Sequence, residues 1–262
     1  MNPGLRRVRV ERVGQAPADD WVIEEAPLEM RLDGESLAVT LRTPGHDLEL
    51  AAGYLFTEGI VRGREDFASL KRLEDPTAYD PDNVVDAALS PAARRRHRRI
   101  EGARRRRMST SACGLCGKAR LEEIYQSWPT LEPIEVEAEL ARSLPRTLER
   151  HQELFPLTGG VHAAALFDLE GGLLALREDV GRHNALDKLI GRALLRDELP
   201  WRRRIVAVSA RAGFEIVQKT LMAAAPALVA VGAGSSLAID AARRGGLVLF
   251  TFVRHDRSNR HL

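Results

Sequence analysis

Apolar and polar positions alternate most regularly in the second half of the chain. From about residue 135, short runs rich in Val, Leu and Ala alternate with longer segments of helical periodicity. The pattern predicts helices at residues 135–154, 183–195, 214–224 and 235–243, and strands at residues 161–168, 173–177, 204–209, 227–231 and 247–253. Because helices of this length supply the crossovers that parallel strands need, a mostly parallel sheet covered on both faces is predicted.

The first two of these strands are joined by Glu170, Gly171 and Gly172, a link too short for a crossover. They are therefore expected to pair antiparallel. The resulting order, α-β-β-α-β-α-β-α-β, is the one found in cytidine-deaminase-like domains. We predict an α/β protein with a three-layer cytidine-deaminase-like domain at residues 129–262, a fold that does not by itself carry a function.

The first half of the chain has shorter and less regular elements. Strands are predicted at residues 8–13, 21–23, 28–32 and 37–42, with Asp33 and Gly34 forming a hairpin turn. Asp47 is expected to cap a helix at 48–56, residues 75–91 are expected to be irregular, and a helix is predicted at 118–128. Pro129 and Pro133 then mark a boundary, so residues 1–128 are predicted to form a smaller α+β domain.

Composition excludes several classes of protein. Of the 262 residues, 44% are hydrophobic and 29% are charged, as in ordinary globular proteins. The longest apolar stretch, residues 221–234, contains Pro226 and falls short of the roughly 20 residues that a membrane-spanning helix needs. The N-terminus has no apolar run typical of a secretory signal. We therefore expect a cytoplasmic protein without a membrane segment, whose two cysteines are reduced thiols.

The formal net charge of +2 conceals a strongly basic segment. Nine arginines and one glutamate lie between Arg94 and Arg107, a local charge of +8 that leaves −6 for the rest of the chain. Runs of like charge usually form solvated, mobile segments, and this is the expectation here. The alternative is that the segment attracts an anionic cofactor or an acidic partner. Nucleic acid is not expected as a partner, because no aromatic residue interleaves the arginines.

The strongest chemical signal is the pair Cys113 and Cys116, separated by two residues. Two such thiols can exchange a disulfide, bind a metal or pass a sulfur atom. A structural zinc site needs four ligands, and no second cysteine pair exists. A zinc nucleobase deaminase needs His-x-Glu followed by Pro-Cys-x-x-Cys, whereas His162 is followed by two alanines and the cysteines lie upstream. No metal site is therefore predicted.

Three further clusters, at residues 158–162, 179–184 and 209–215, lie where predicted strands end or helices begin. A glycine-rich stretch at 232–236 occupies a similar position. Each cluster alone is typical of a tight turn beside a capped helix. Because ligands of open α/β sheets bind beyond the carboxyl ends of the strands, the clusters together favour one shared pocket.

Taken in order along the chain, these segments resemble the FdhD family, the formate dehydrogenase accessory sulfurtransferases. The matching stretches are residues 43–47, 53–59, 111–117, 158–162, 179–184, 187–188 and 209–219. The resemblance implies a sulfur carrier that accepts sulfur from a cysteine desulfurase as a persulfide. It further implies transfer of that sulfur to the molybdenum (or tungsten) bis-molybdopterin guanine dinucleotide cofactor, on which formate dehydrogenase activity depends.

Residue by residue, the resemblance makes Cys113 the persulfide-bearing position and Cys116 the second thiol. It places transient binding of the cofactor, with GDP as a fragment mimic, on a stretch after the last strand: Phe252, Val253, Arg254, His255, Asp256 and Arg257. The forked donors of its two arginines suit phosphate or guanine oxygens. The alternative function is a non-catalytic chaperone that delivers the cofactor to formate dehydrogenase. A homodimer is expected from the commonness of twofold assemblies.

Overall fold

The computed structural model describes residues 2–74, 81–104 and 128–261, with the backbone alone at residues 98–104. The predicted helix at 118–128 lies outside these ranges except for its last residue, as do both cysteines. Within the described ranges, no helix is long and apolar enough to cross a membrane.

The N-terminal part contains two small sheets. Its strands are β1 (Leu5–Val10), β2 (Ala18–Ile23), β3 (Ala26–Leu32), β4 (Glu35–Arg42), β5 (Phe67–Leu73) and β6 (Val84–Leu89). Strands β1 and β2 form an antiparallel hairpin, and the other four form a sheet in the order β4-β3-β6-β5. Its helices are α1 (Asp47–Thr57) and α2 (Pro91–Arg104), with a 3-10 turn at Arg64–Asp66.

The predictions for β6 and for the cap of α1 were wrong. The segment 75–91 was expected to be irregular, yet β6 lies within it, buried between β3 and β5. Five of the six residues of β6 are apolar, but the strand is short and follows a polar, proline-containing stretch, so the local pattern did not reveal a central strand. Asp47 does not cap α1: His46 is the N-cap residue, in the left-handed region, and the Asp47 carboxylate instead binds the buried Arg42 side chain at 2.9 Å.

The arginine-rich segment is helical through residue 104, so the expectation of a mobile segment is wrong for residues 94–104. Ala93 is buried. Arg94 donates hydrogen bonds to the Asp33 carboxylate, and Arg96 donates to Asp66. These two carboxylates offset the repulsion among the arginines at the start of α2 and fix its first turns to the body of the protein.

The C-terminal part confirms the predicted α/β fold. Its elements are α3 (Ala138–Arg150), α4 (Phe155–Thr158), β7 (His162–Phe167), β8 (Leu173–Asp179), α5 (Arg182–Leu195), β9 (Ile205–Val208), α6 (Phe214–Met222), β10 (Ala227–Ala230), α7 (Ser236–Gly245), β11 (Val248–Thr251) and β12 (Asn259–His261). The sheet order is β12-β11-β10-β9-β7-β8. Strands β9, β10 and β11 are parallel, while β7 is antiparallel to both of its neighbours. Strand β12, which the sequence pattern did not predict, pairs antiparallel with β11.

Helices cover both faces of this sheet, as the three-layer prediction required. Apolar side chains of α3 pack on one face, and those of α5, α6 and α7 pack on the other. Helix α1 of the N-terminal part packs against α5 in the same apolar core. The predicted domain boundary near residue 128 stays a prediction.

Two glycines allow α1 and α5 to touch along their backbones. A Cβ at Gly53 would lie 1.9 Å from the carbonyl oxygen of Asp187, and one at Gly191 would lie 1.8 Å from that of Glu49. Only glycine fits at such an approach. The contact fixes α1, and the loop that precedes it, against the middle of α5.

Candidate functional site

Chain segments from five strands meet at one edge of the six-stranded sheet. The parallel strands β9, β10 and β11 end there. Because β7 runs antiparallel to β9, its first residue, His162, lies at the same edge, paired with Asp179 at the end of β8. The structure therefore brings together the strand-end clusters that the sequence pattern singled out.

Backbone hydrogen bonds tie the loops at this edge into one continuous surface. Gly232 N donates to Ala210 O at 3.0 Å, and Ala212 N donates to Ala233 O at 2.9 Å. Phe252 N in turn donates to Gly232 O at 2.9 Å. A Cβ at Gly232 would lie 2.8 Å from the Cα of Arg211, so the close approach of these loops requires glycine. The loops at this edge are therefore fixed to one another and to the strands that they follow.

A buried ion pair anchors the loop after β8. The Nζ of Lys188 lies 2.6 Å from the Oδ2 of Asp179, and both side chains are at most 1% exposed. Lys188 also donates to the Thr43 carbonyl at 2.8 Å, while Thr43 N donates to Asp179 at 3.2 Å. Burial lowers the pKa of Lys188, an effect that the Asp179 carboxylate opposes. Both charged residues are thus structural parts of the edge.

A second buried pair lies one helical turn from the edge. Lys219 on α6 donates to both carboxylate oxygens of Asp187 on α5 at 2.8 Å. It also donates to the Thr57 hydroxyl at 2.8 Å, and its ammonium lies 5.8 Å from the centre of the Tyr54 ring. Burial raises the pKa of Asp187 against the opposing influence of Lys219. The pair joins α1, α5 and α6 beneath the candidate site.

His183 and Glu215 form a third pair, between the first turns of α5 and α6. The Nε2 of His183 lies 3.1 Å from the Oε2 of Glu215, with side chains 32% and 24% exposed. Burial, followed by the positive charges of Arg182 and Lys219, lowers the pKa of His183 to about 4. Because this pKa lies well below 7, the imidazole is neutral near pH 7.

Two other polar residues, His162 and Ser209, lie at this edge. Burial and Arg182 lower the pKa of the half-buried His162. The Ser209 hydroxyl accepts a hydrogen bond from Ala163 N at 2.9 Å, and Ser209 N donates to Ala163 O at 3.0 Å. Ser209 therefore extends the pairing of β7 with β9.

Glu178 orders the segment that leads into β7. Its carboxylate accepts hydrogen bonds from the backbone N–H groups of Glu153, Leu154 and Phe155 at 2.7, 2.9 and 3.0 Å. The Gln152 side chain adds a fourth at 3.0 Å. These bonds fix short helix α4, from which the chain enters the Thr158 to His162 cluster.

The predicted cofactor-binding stretch follows β11 at the same edge. Phe252 has a left-handed backbone, with φ of 50°, and a side chain that is 44% exposed. Val253 is buried in the core, so its side chain serves packing. His255, Asp256 and Arg257 are exposed.

Arg254 is fixed within this stretch. Its backbone N–H donates to Arg257 O at 2.8 Å, which closes a turn, and its side chain donates to the Val231 carbonyl at 2.5 Å. Arg254 therefore holds the end of β10 to the turn after β11, and Arg257 is exposed. That this stretch binds a cofactor stays a prediction.

Sequence reasoning missed the contact between His183 and Glu215 and the roles of the two buried lysines. A signal was present: the chain has four lysines against 35 arginines, and Lys188 and Lys219 both fall inside apolar helical segments. Cys113 and Cys116 lie outside the described residues. Across the described ranges, no three His, Cys, Asp or Glu side chains are grouped so as to hold a metal ion.

The chain resembles proteins of one family over nearly its whole length. A family model described as the FdhD/NarQ family matches residues 23–261. The chain is 44% identical to the "Sulfur carrier protein FdhD" of Streptomyces coelicolor over 97% of this chain and 90% of that protein. It is also 44% identical to the protein of the same name from Mycobacterium tuberculosis, over 97% and 94%.

A solved structure has the same fold. The crystal structure of a candidate formate dehydrogenase accessory protein from Desulfotalea psychrophila superposes with a TM-score of 0.73. The match covers 98% of this chain and 95% of that chain, at 22% sequence identity.

Proposed function

Because this chain belongs to the FdhD/NarQ family, we propose that it is a sulfur carrier acting in the cytoplasm. It accepts a sulfur atom from a cysteine desulfurase as a persulfide on Cys113. It then transfers that sulfur to the molybdenum (or tungsten) bis-molybdopterin guanine dinucleotide cofactor, which serves a formate dehydrogenase. The observation that carries this proposal is the 42–44% identity, over most of the chain, to relatives named sulfur carrier protein.

The two thiols of the sequence account for the electrons of such a transfer. The Cys116 thiolate attacks the Sγ of the Cys113 persulfide, and a disulfide forms between the two cysteines. The bond between Cys113 and the outer sulfur breaks, and that sulfur leaves with the electron pair as sulfide, which the metal centre of the substrate accepts. The two cysteines are oxidised because they lose the two electrons that reduce the outer sulfur to sulfide. A dithiol reductant then returns them to thiols.

The carboxyl edge of the six-stranded sheet is where this proposal places the cofactor. Phosphates are favoured there by the N-terminus of α5, whose N-cap residue is Gly181 and so leaves the first N–H groups without a side-chain cap. Arg257 adds an exposed guanidinium, which suits phosphate oxygens. Phe252 adds an exposed ring against which a heterocycle can stack.

The proposal is tested by following sulfur onto the protein. The full chain is incubated with a cysteine desulfurase and cysteine, and its peptides are weighed by mass spectrometry without reduction. A sulfur carrier gains the mass of one sulfur atom on the peptide that contains Cys113, and the gain is lost in Cys113→Ala. If the wild-type peptide gains no sulfur while GDP still binds, the chain is instead a non-catalytic chaperone for the cofactor.

The partners follow from the same chemistry. A cysteine desulfurase is the donor, and a formate dehydrogenase is the client that uses the sulfurated cofactor. A homodimer is proposed on general grounds of symmetry. Sedimentation measures it directly, and a monomer at micromolar concentration would contradict it.

A further inference from the structure

Glu215 is a carboxylate placed at the candidate site without a cationic partner among the described residues. It lies in the first turn of α6, at the sheet edge, with its side chain 24% exposed. Its Oε2 lies 3.1 Å from His183, and this is the contact found for it in the described part of the chain. Lys219, one turn further along α6, is committed to Asp187 and Thr57.

The one contact found for this carboxylate in the described part of the chain leaves most of its acceptor positions available. The Nε2 of His183 can donate at most a single hydrogen bond to Oε2, whichever way the ring is protonated. Burial, and after it the positive charges of Arg182 and Lys219, lower the pKa of His183 to about 4, so the ring is neutral near pH 7. A partly buried carboxylate is stabilised when N–H donors reach its oxygens, and a neutral imidazole supplies at most one of them. A ligand with two adjacent N–H donors would satisfy the rest.

We propose that Glu215, oriented by His183, accepts hydrogen bonds from the ring N–H and the amino group of a 2-amino-4-oxopyrimidine edge. This edge is shared by guanine and by the pterin, so the inference rests on the proposed function and assigns a specificity-determining residue to it. The two carboxylate oxygens match the two neighbouring donors of that edge. Adenine lacks this pair of donors, and hypoxanthine has only the ring N–H.

The position of Glu215 fits a heterocycle better than a phosphate. A carboxylate repels phosphate, whereas Arg257 attracts it. Glu215 follows β9 and Arg257 follows β11, two strands away, a lateral separation of roughly 10 Å at the usual strand spacing. One nucleotide can span that distance, with its phosphates at the arginine and its base at the carboxylate. A pterin at Glu215 is the other source of the same edge.

Binding of matched pairs of ligands to the full chain tests this inference. GDP is compared with IDP, which lacks only the 2-amino group, and pterin is compared with lumazine, which carries an oxygen in place of that group. We expect wild type to bind GDP more tightly than IDP, or pterin more tightly than lumazine, by about 10-fold or more. This is the usual loss of affinity when a charge-assisted hydrogen bond is removed. Glu215→Gln is expected to reduce that preference to near unity, and Glu215→Asp to restore part of it.

Glu198→Gln is the matched control, because it removes a carboxylate paired with Arg192 at the other end of α5. It should leave the preference unchanged. Loss of the GDP preference in Glu215→Gln identifies guanine as the ligand, and loss of the pterin preference identifies the pterin. If Glu215→Gln unfolds at the wild-type temperature and keeps both preferences, or if wild type has neither, the inference is overturned. Sulfur uptake by Cys113 is measured separately, so the proposed function can stand or fail independently.

Discussion

The Asp179 carboxylate lies 2.6 Å from the Lys188 ammonium, in a position where neither side chain meets solvent. The pair joins the end of β8 to the middle of α5, and through Thr43 it also binds the loop before α1. A buried charge that loses its partner keeps its desolvation cost without compensation. The edge of the sheet therefore depends on this pair for its shape.

The first prediction concerns this pair. Lys188→Met should lower the free energy of unfolding by about 3–5 kcal/mol, the usual cost of leaving one buried charge alone. The double variant Asp179→Asn/Lys188→Met should lose less than the two single variants together. Urea unfolding of the four proteins measures the coupling. Arg192→Met, which breaks the partly exposed pair with Glu198, serves as control and should cost below about 1 kcal/mol; equal losses would contradict a special role for the buried pair.

The second prediction concerns the contact between α1 and α5. Gly53→Ala places a methyl group 1.9 Å from the Asp187 carbonyl oxygen, so the helices must separate. We expect a loss of about 1–3 kcal/mol or more, as for other overpacked cores. Gly213→Ala, where nothing lies within 4 Å of the added Cβ, should cost less than about 1 kcal/mol. Thermal unfolding compares the two, and similar melting temperatures would show that α1 can shift freely.

The third prediction concerns the cysteines. Cys113→Ala should abolish sulfur transfer, because it removes the atom that carries the persulfide. Cys116→Ala should still be loaded with sulfur and should retain part of the transfer activity, since an added thiol can attack the persulfide in its place. Transfer is measured as activation of a formate dehydrogenase by the loaded protein. Full activity of Cys113→Ala would refute the mechanism.

The fourth prediction concerns Arg257. Arg257→Ala should weaken GDP binding by about 10- to 150-fold, the range for loss of one charge-assisted contact. The loss should shrink at high salt, because the side chain is exposed. Arg203→Ala, an exposed arginine just before β9 and thus at the opposite edge of the sheet, is the matched control. Calorimetric titration measures both, and equal affinities for the two variants would place the phosphates elsewhere.

The fifth prediction concerns pH. The pKa of His183 is lowered in the folded protein to about 4, below the value of about 6.5 in the unfolded chain. The unfolded chain therefore binds the proton first, and the contribution of the neutral ring to stability is present above about pH 6.5 and is lost as the pH falls toward 4. His183→Gln should show a shallower loss of stability across that window. Urea unfolding at several pH values measures the difference, and parallel curves would show that His183 is not held neutral.

The sequence alone was sufficient for the elements of the C-terminal sheet and for the positions of its polar clusters. Strands such as β9 and β10 are buried on both faces, so each is a short apolar run between helical segments, and this pattern is local. Polar residues that follow such runs must lie at the carboxyl edge whichever way the sheet is ordered. The likeness of the segments around Cys113 to a known family was likewise present in the sequence.

Only the tertiary structure decided which side chains meet. Lys188 and Thr43 are 145 positions apart, and Lys219 and Thr57 are 162 apart, so no local period connects them. Strand β6 and the start of α2 were mispredicted for the same reason: one is stabilised by strands on both sides, and the other by carboxylates of distant segments. The local sequence pattern predicts which residues are buried and which are exposed. The pairing of His183 with Glu215 instead depends on the order of strands, which places α5 beside α6.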